Sequence, residues 1–376
     1  MPWKEVSKMS QRREFVTLAQ AEGTNMRALC RQFGISRTTG YKWVRRFREG
    51  NEVGLADLPR RPRHSPFHTP AEIEETVLTA REAHPAWGAR KLRAWLLAKG
   101  HEWMPSPSTI TAILKRNGRI DPVEGLTHRP WQRFERQAPN ELWQMDFKGH
   151  FPLTRGRCHP LTVLDDHSRF ALGLQACGNE KGKTVQERLT AIFRRYGLPN
   201  TMLMDNGSPW GHDQDHPYTP FTVWLMRLGI RVSHGRPYHP QTQGKDERFH
   251  RTLTVELLQG RSFTDLAHCQ RAFDPWRDIY NLERPHEALD LATPASKYQV
   301  SQRPFPENLP PLEYGSDDIV RSVYDRGRIS LFGRIFKIGK AFTGMTVAIR
   351  ATDIDGVWNV FFATHVIAQL DLRRDP

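Results

Sequence analysis

Two proline-rich stretches partition this chain of 376 residues. The first, 56–69, carries Pro59, Pro62 and Pro66 among Arg60, Arg61 and Arg63; the second, 301–318, holds Pro304, Pro306, Pro310 and Pro311. Proline fixes φ and lacks an N–H, so neither stretch continues a helix or a central strand. The spacing predicts separate folded blocks at 1–55, 70–118, 140–300 and 319–376. Residues 56–69, 119–139 and 301–318 are then linkers.

Charge separates the same blocks. Residues 1–139 hold 25 of the 55 Lys and Arg and 14 of the 41 Asp and Glu, a net +11 of the chain's +14. A basic front half before a near-neutral remainder fits a nucleic-acid grip joined to something else. Hydrophobic content of 38% with eleven Trp argues against disorder. No run of about 18 apolar residues offers a membrane span, and Met1–Glu5 lacks a secretory apolar stretch. Cys30, Cys158, Cys177 and Cys269 are too scattered for a zinc site and fit a reducing compartment. The expectation is a soluble, cytoplasmic protein.

Residues 10–50 read as three short helices. Phe15, Leu18 and Ala19 stripe the first; Thr24 is the expected cap of the second, where Met26, Leu29, Cys30 and Phe33 recur at helical spacing. Gly34 permits a turn and Ser36 caps a third helix bearing Arg37, Thr38, Thr39, Lys42, Arg45 and Arg46. Helix, glycine turn and capped basic helix is the helix-turn-helix plan, with the last helix in the major groove. These six residues are the candidate DNA contacts; Gly40 is a departure that weakens the third helix. Arg60, Arg61 and Arg63 serve either in a minor groove or in a plain spacer. Residues 70–118 predict a second all-helical, DNA-reading unit, its last helix Thr109–Arg116 capped by Ser108.

The middle block changes character. Strands are expected at 142–148, 160–165, 169–175, 201–204 and 230–233, and helices at 180–196, 219–229, 243–258 and 264–281. That succession is a mixed α/β architecture. Residues 319–376 predict a small antiparallel barrel, with five strands between Ile329 and Asp371.

Three acids stand out here. Asp146 lies in Trp143-Gln144-Met145-Asp146-Phe147-Lys148, an unfavourable residue inside a strand. Asp205 closes an apolar strand at Asp205-Asn206-Gly207, which is also a plain turn signal. Glu247 begins a helix whose apolar stripe is Phe249, Leu253 and Leu257; it lies off that stripe, whereas Asp246 is the weaker candidate. Carboxylates from two strands and a helix suffice for two divalent ions in phosphoryl transfer. Tyr238, Gln243, Lys245 and Arg251 flank Glu247 as candidate DNA contacts, and Asp165 and Asp166 read as turn caps.

The blocks Trp143–Asp146, Asp205–Trp210, Tyr238–Arg248 and Tyr280–Leu289 followed by Thr293-Pro294 resemble bacterial insertion-sequence transposases with a retroviral-integrase-type core. The resemblance covers 140–300 closely and the flanking blocks loosely. It implies a ribonuclease-H-like core, an SH3-like C-terminal barrel and an Asp-Asp-Glu triad at Asp146, Asp205 and Glu247. It further implies Mg²⁺ or Mn²⁺, two ions, and double-stranded DNA as partner, both element terminal inverted repeats and target. The activity implied is cleavage and strand transfer in a homo-oligomer, at least a dimer on paired ends. Such cores commonly place about 35 residues between the second and third acids. Here 41 intervene, the surplus expected in the polar loop 211–218. A DNA-binding regulator with an inactive core, and a nuclease that cuts without joining, are the alternative readings.

Overall fold

The computed structural model describes residues 7–58, 69–120, 135–205, 207–211, 218–234 and 244–373. Arg60, Arg61, Arg63, Tyr238, Gln243 and most of the loop 211–218 lie outside the described residues. The chain forms two compact units, residues 1–68 and 69–376.

The first unit is three helices, α1 (Lys8–Ala19), α2 (Met26–Gln32) and α3 (Arg37–Gly50), closed by a short turn to Leu55. Phe15, Val16, Leu29, Cys30, Trp43, Val44 and Leu55 make its core. Ser36 caps α3 as expected, accepting from the Thr39 N–H at 3.1 Å. The cap of α2 is Asn25 rather than Thr24, because the Thr24 hydroxyl donates back to the Leu18 and Ala21 carbonyls. Gly40 has a packing reason. A Cβ there would lie 2.6 Å from Cys30 Sγ and 2.9 Å from the Phe15 ring, so only glycine lets α3 close onto α1 and α2.

The second unit begins with α4 (Ala71–Ala83), α5 (Ala89–Ala98) and α6 (Pro107–Arg116) around Val77, Trp87, Leu92, Leu96, Ile110 and Ile113. The cap of α6 is Ser106, two residues before the expected Ser108, since Pro107 is set for the first helical position. This bundle rests on the central domain. Ile279 joins its core, Trp95 Nε1 donates to Glu283 at 3.1 Å, and Lys99 pairs with the same carboxylate.

The central sheet runs β4 (Ala171–Cys177), β3 (Arg157–Asp165), β1 (Trp143–Phe147), β5 (Thr201–Met204) and β6 (Arg231–His234), with β2 (Phe151–Pro152) on the start of β3. The β1, β3 and β4 strands are antiparallel; β5 and β6 join β1 in parallel. Side-chain alternation along β1 decides the layers. Trp143 and Met145 face α7 (Gly182–Tyr196) and α8 (Pro220–Arg227) in one core. On the other face Leu164, Ala171 and Leu174 pack on α9 (Gly244–Leu253) and α10 (Leu266–Asp278) through Phe249, Leu253, Phe273 and Trp276. This is the expected mixed α/β layer arrangement. An ion pair between Arg284 and Glu256, 2.9 Å apart with side chains 9% and 10% exposed, ties the chain after α10 to the helical turn Thr254–Leu258 that follows α9.

The proline-rich segment after residue 300 is a strap rather than a free linker. Leu198 donates to the Arg303 carbonyl at 2.7 Å, Arg303 donates to Pro199, Leu228 and Gly229, and Phe305 stacks on Phe193. Gly197 permits this approach, as a Cβ there would meet the Arg303 carbonyl at 2.7 Å. An all-β region follows. The β12 (His365–Asp371), β11 (Val357–Phe362), β10 (Thr346–Ala351) and β7 (Ile319–Ser322) strands form one antiparallel sheet, and β8 (Arg328–Leu331) pairs β9 (Arg334–Lys337). Its core includes Val223 and Met226 of α8, so it is continuous with the central domain.

Candidate active site

The parallel pairing of β1 with β5 builds the site. Gln144 stands opposite Leu203, so two residues further the chain brings Asp146 beside Asp205 at one edge of the sheet. The loop after Asp205 is pinned there: Gly207 N–H donates to Asp205 Oδ1 at 3.0 Å, and the buried Trp210 ring stacks on Phe147, centroids 5.6 Å apart. Across β6, His234 Nδ1 lies 2.8 Å from the Asp205 carbonyl. The α9 helix packs against β1 and carries Glu247, exposed, in its first turn.

Electrostatics links these groups. Asp146 is pushed up to about 7, first by burial and next by the negative charge of Asp205, with Glu180 and Glu247 adding and the Phe147 N–H opposing. Burial also raises Asp205, against the Gly207 N–H and His234, with Glu180 pushing the same way. Like charges crowded at a strand edge are what a divalent cation relieves, and the donor set is oxygen, as Mg²⁺ and Mn²⁺ require. Asp146, Asp205 and Glu247 could hold such ions. Among the described residues no three acidic, His or Cys side chains form a closed cage, so the carboxylates share a region rather than a finished shell.

Glu180 was not visible from spacing. It follows β4, whose end reaches the same edge because His159 pairs with Cys177, and His159 Nδ1 holds its carboxylate at 2.8 Å. Working out the β3–β4 register would have found it. His250, one turn after Glu247, is another such residue. It meets Thr162 Oγ1 at 2.8 Å and is lowered to about 4 by burial and then by Lys148, so it is a neutral ring at pH 7.

The flanking candidates divide. Asp165 caps its turn, accepting from Ser168 and Asn140. Asp166 is buried and accepts from Gln144 Nε2, the Arg136 N–H and Lys245 Nζ, at 2.7, 2.8 and 2.5 Å. The Lys245 ammonium is therefore committed inside the protein, whereas Arg251 is exposed. On α3, Arg37, Thr38, Lys42 and Arg45 are exposed, while Thr39 is tied into the Ser36 cap. Arg46 donates to the Ala56 carbonyl at 2.6 Å and stacks over Trp43, which occupies it structurally. Tyr41 on the same helix is 58% exposed.

Comparison with known proteins agrees with this layout. Models described as Integrase core domain match residues 136–240 and 228–294; a Helix-turn-helix domain matches 11–63 and a Homeodomain-like domain 39–114. The chain is thus similar to helix-turn-helix domains in its front part and to integrase cores in its middle. More particularly, residues 318–375 match the C-terminal domain of IS481 family transposases, and the resemblance to bacterial insertion-sequence transposases holds. The insertion element IS476 39.2 kDa protein of Xanthomonas euvesicatoria is 26% identical over 66% of this chain and 72% of its own. The insertion element IS407 31.7 kDa protein of Burkholderia multivorans is 28% identical over 42% of this chain; the chain spans 55% of that protein's length. A transposase of element IS904 from Lactococcus lactis is 26% identical over 43% of this chain and 63% of its own. Among the described residues no helix is long and apolar enough to cross a membrane.

Proposed function

We propose that this chain is a DNA transposase that binds the ends of a mobile element, cuts there and joins the ends to target DNA. The observation that carries the reading is the meeting of Asp146 and Asp205 at one sheet edge, with Glu247 on the helix packed over β1. Asp146, Asp205 and Glu247 are the residues that would hold two divalent ions, Mg²⁺ or Mn²⁺. When bound, such ions would supply Lewis-acid polarisation of a phosphate and neutralise charge developing on its oxygens. Asp146, crowded first by Asp205 and also by Glu247, would be the carboxylate most relieved by such a cation. The protein's own task is orientation: β1 and β5 fix the two aspartates, and α9 sets the glutamate. The exposed cations of α3 grip the element end, and Arg251 lies along the DNA path near the site. Joining two ends to one target calls for at least two copies on DNA.

The test is a joining assay with Mg²⁺ on the element's own terminal repeats. Asp146→Asn and Glu247→Gln should bind ends like wild type and join nothing. Normal joining by both removes the triad assignment. Cleavage without joining by the wild type favours the nuclease reading, and end binding without either reaction favours the regulator.

A further inference from the structure

The α9 stripe begins about one turn before its apolar members. Phe249, Leu253 and Leu257 are buried, and position 246 continues the same face three residues before Phe249. A core-facing helix position ordinarily carries Val or Leu, yet here it carries Asp246, 1% exposed. Neither of its carboxyl oxygens has a hydrogen-bond partner. The nearest cation, Lys245, is already committed to Asp166, and Gln144 likewise spends its amide N–H on Asp166, leaving Gln144 Oε1 without a donor. Gln144 and Asp146 share one face of β1, the face on which α9 packs. Asp246 thus lies buried with other carboxylates about it, Asp146 foremost and Asp166 and Glu247 also in reach, against the opposing charge of Lys245.

We infer that Asp246 belongs to the cation-holding set, serving the divalent ion at Asp146 from the buried side, directly or through a water on that ion. The inference rests on the proposed function above. A buried carboxyl without partners costs stability, and a site that keeps one trades that stability for function. A divalent cation is the group that satisfies oxygen atoms with no donors around them.

The experiment uses the full chain. Mn²⁺ alone is titrated by calorimetry into wild type, Asp246→Leu, Asp246→Asn and Glu247→Gln, alongside thermal melts with and without Mg²⁺ and the joining assay. Asp246→Leu should melt above wild type without metal, lose most of its Mg²⁺-induced shift and join at least tenfold more slowly. Both Asp246 variants should bind Mn²⁺ at least threefold more weakly; the near-isosteric Asn variant decides the matter if the Leu variant fails to fold. Mn²⁺ affinity within threefold of wild type in the folded variants overturns the inference. If Glu247→Gln has meanwhile lost joining, the site reading survives and this inference alone falls. If Glu247→Gln also binds Mn²⁺ and joins normally, the parent reading falls instead.

Discussion

Lys245 Nζ sits 2.5 Å from Asp166 Oδ1, a pair whose side chains are 18% and 0% exposed. It ties the first turn of α9 to the turn after β3, one residue ahead of Asp246 and two ahead of Glu247. The Asp166 main-chain carbonyl takes a second bond from the same ammonium at 3.1 Å.

Removing one partner strands the other as a buried charge, a loss of about 3–5 kcal/mol. Because Lys245 retains some exposure, the lower end is expected. Lys245→Met should therefore lower stability by about 3 kcal/mol in denaturant unfolding. It should also raise the Mg²⁺ concentration needed for joining while leaving end affinity unchanged. Lys245→Arg should recover part of both losses. A variant that weakens end binding and keeps its Mg²⁺ requirement would make Lys245 a DNA contact after all.

The pH dependence has a definite sign. Asp146 has its folded value raised from 3.8 to about 7. Its contribution to stability is therefore full below about pH 4 and lost as pH rises through 7. His250 and His286, lowered by burial to about 4 and about 2, act oppositely, destabilising the fold as pH falls below their ordinary 6.5. The two effects overlap between pH 4 and 6.5, so the melt of wild type minus that of Asp146→Asn isolates the aspartate. Without metal that difference should move against wild type from pH 5 to pH 8. With Mg²⁺ at pH 8 it should move back. A difference independent of pH would show that Asp146 is not crowded as described.

Gly40→Ala sets two effects against each other. Alanine gains up to about 1 kcal/mol in helix propensity. Against that, its Cβ would lie 2.6 Å from Cys30 Sγ and 2.9 Å from Phe15, and overpacking of this kind costs typically 1–3 kcal/mol. The variant should be destabilised by about 1–2 kcal/mol in residues 1–58 and bind element ends more weakly, as read by melting and mobility shift. A more stable variant would mean that the helices separate readily.

Arg284→Met should cost about 3–5 kcal/mol, since it leaves Glu256 buried and unpaired. Arg284→Met with Glu256→Leu should recover most of that loss in denaturant unfolding, because two apolar groups of similar size replace both charges. A double variant as unstable as the single one would place the cost in lost packing rather than in the orphaned charge.

The architecture was legible wherever periodicity and punctuation coincided. The strand 201–204 is Thr201–Met204, and the helix expected at 180–196 begins two residues later at Gly182. The β7 strand at Ile319–Ser322 was missed because it follows a proline-rich run and carries Arg321 and Ser322 in four residues. The strap was read as a linker because proline reports an extended backbone without saying what it lies on. The site was legible as motifs: Glu247 was separated from Asp246 by its angle to the apolar stripe. The burial of Asp246 was hidden, since an acidic residue in a first helical turn is ordinarily solvated. Glu180 and the Lys245–Asp166 pair depend on register and docking between distant segments, which spacing along one chain does not encode.

Val223 and Met226 of α8 are shared property: they line the C-terminal β-region's core as much as their own domain's. That region is consequently no interchangeable cassette. A recombination event that spliced in a foreign C-terminal segment at residue 318 would inherit an α8 surface shaped for Ile329, Val347 and Phe362. Compensating changes in α8 would have to accompany the exchange, so the two parts are expected to vary together in descent.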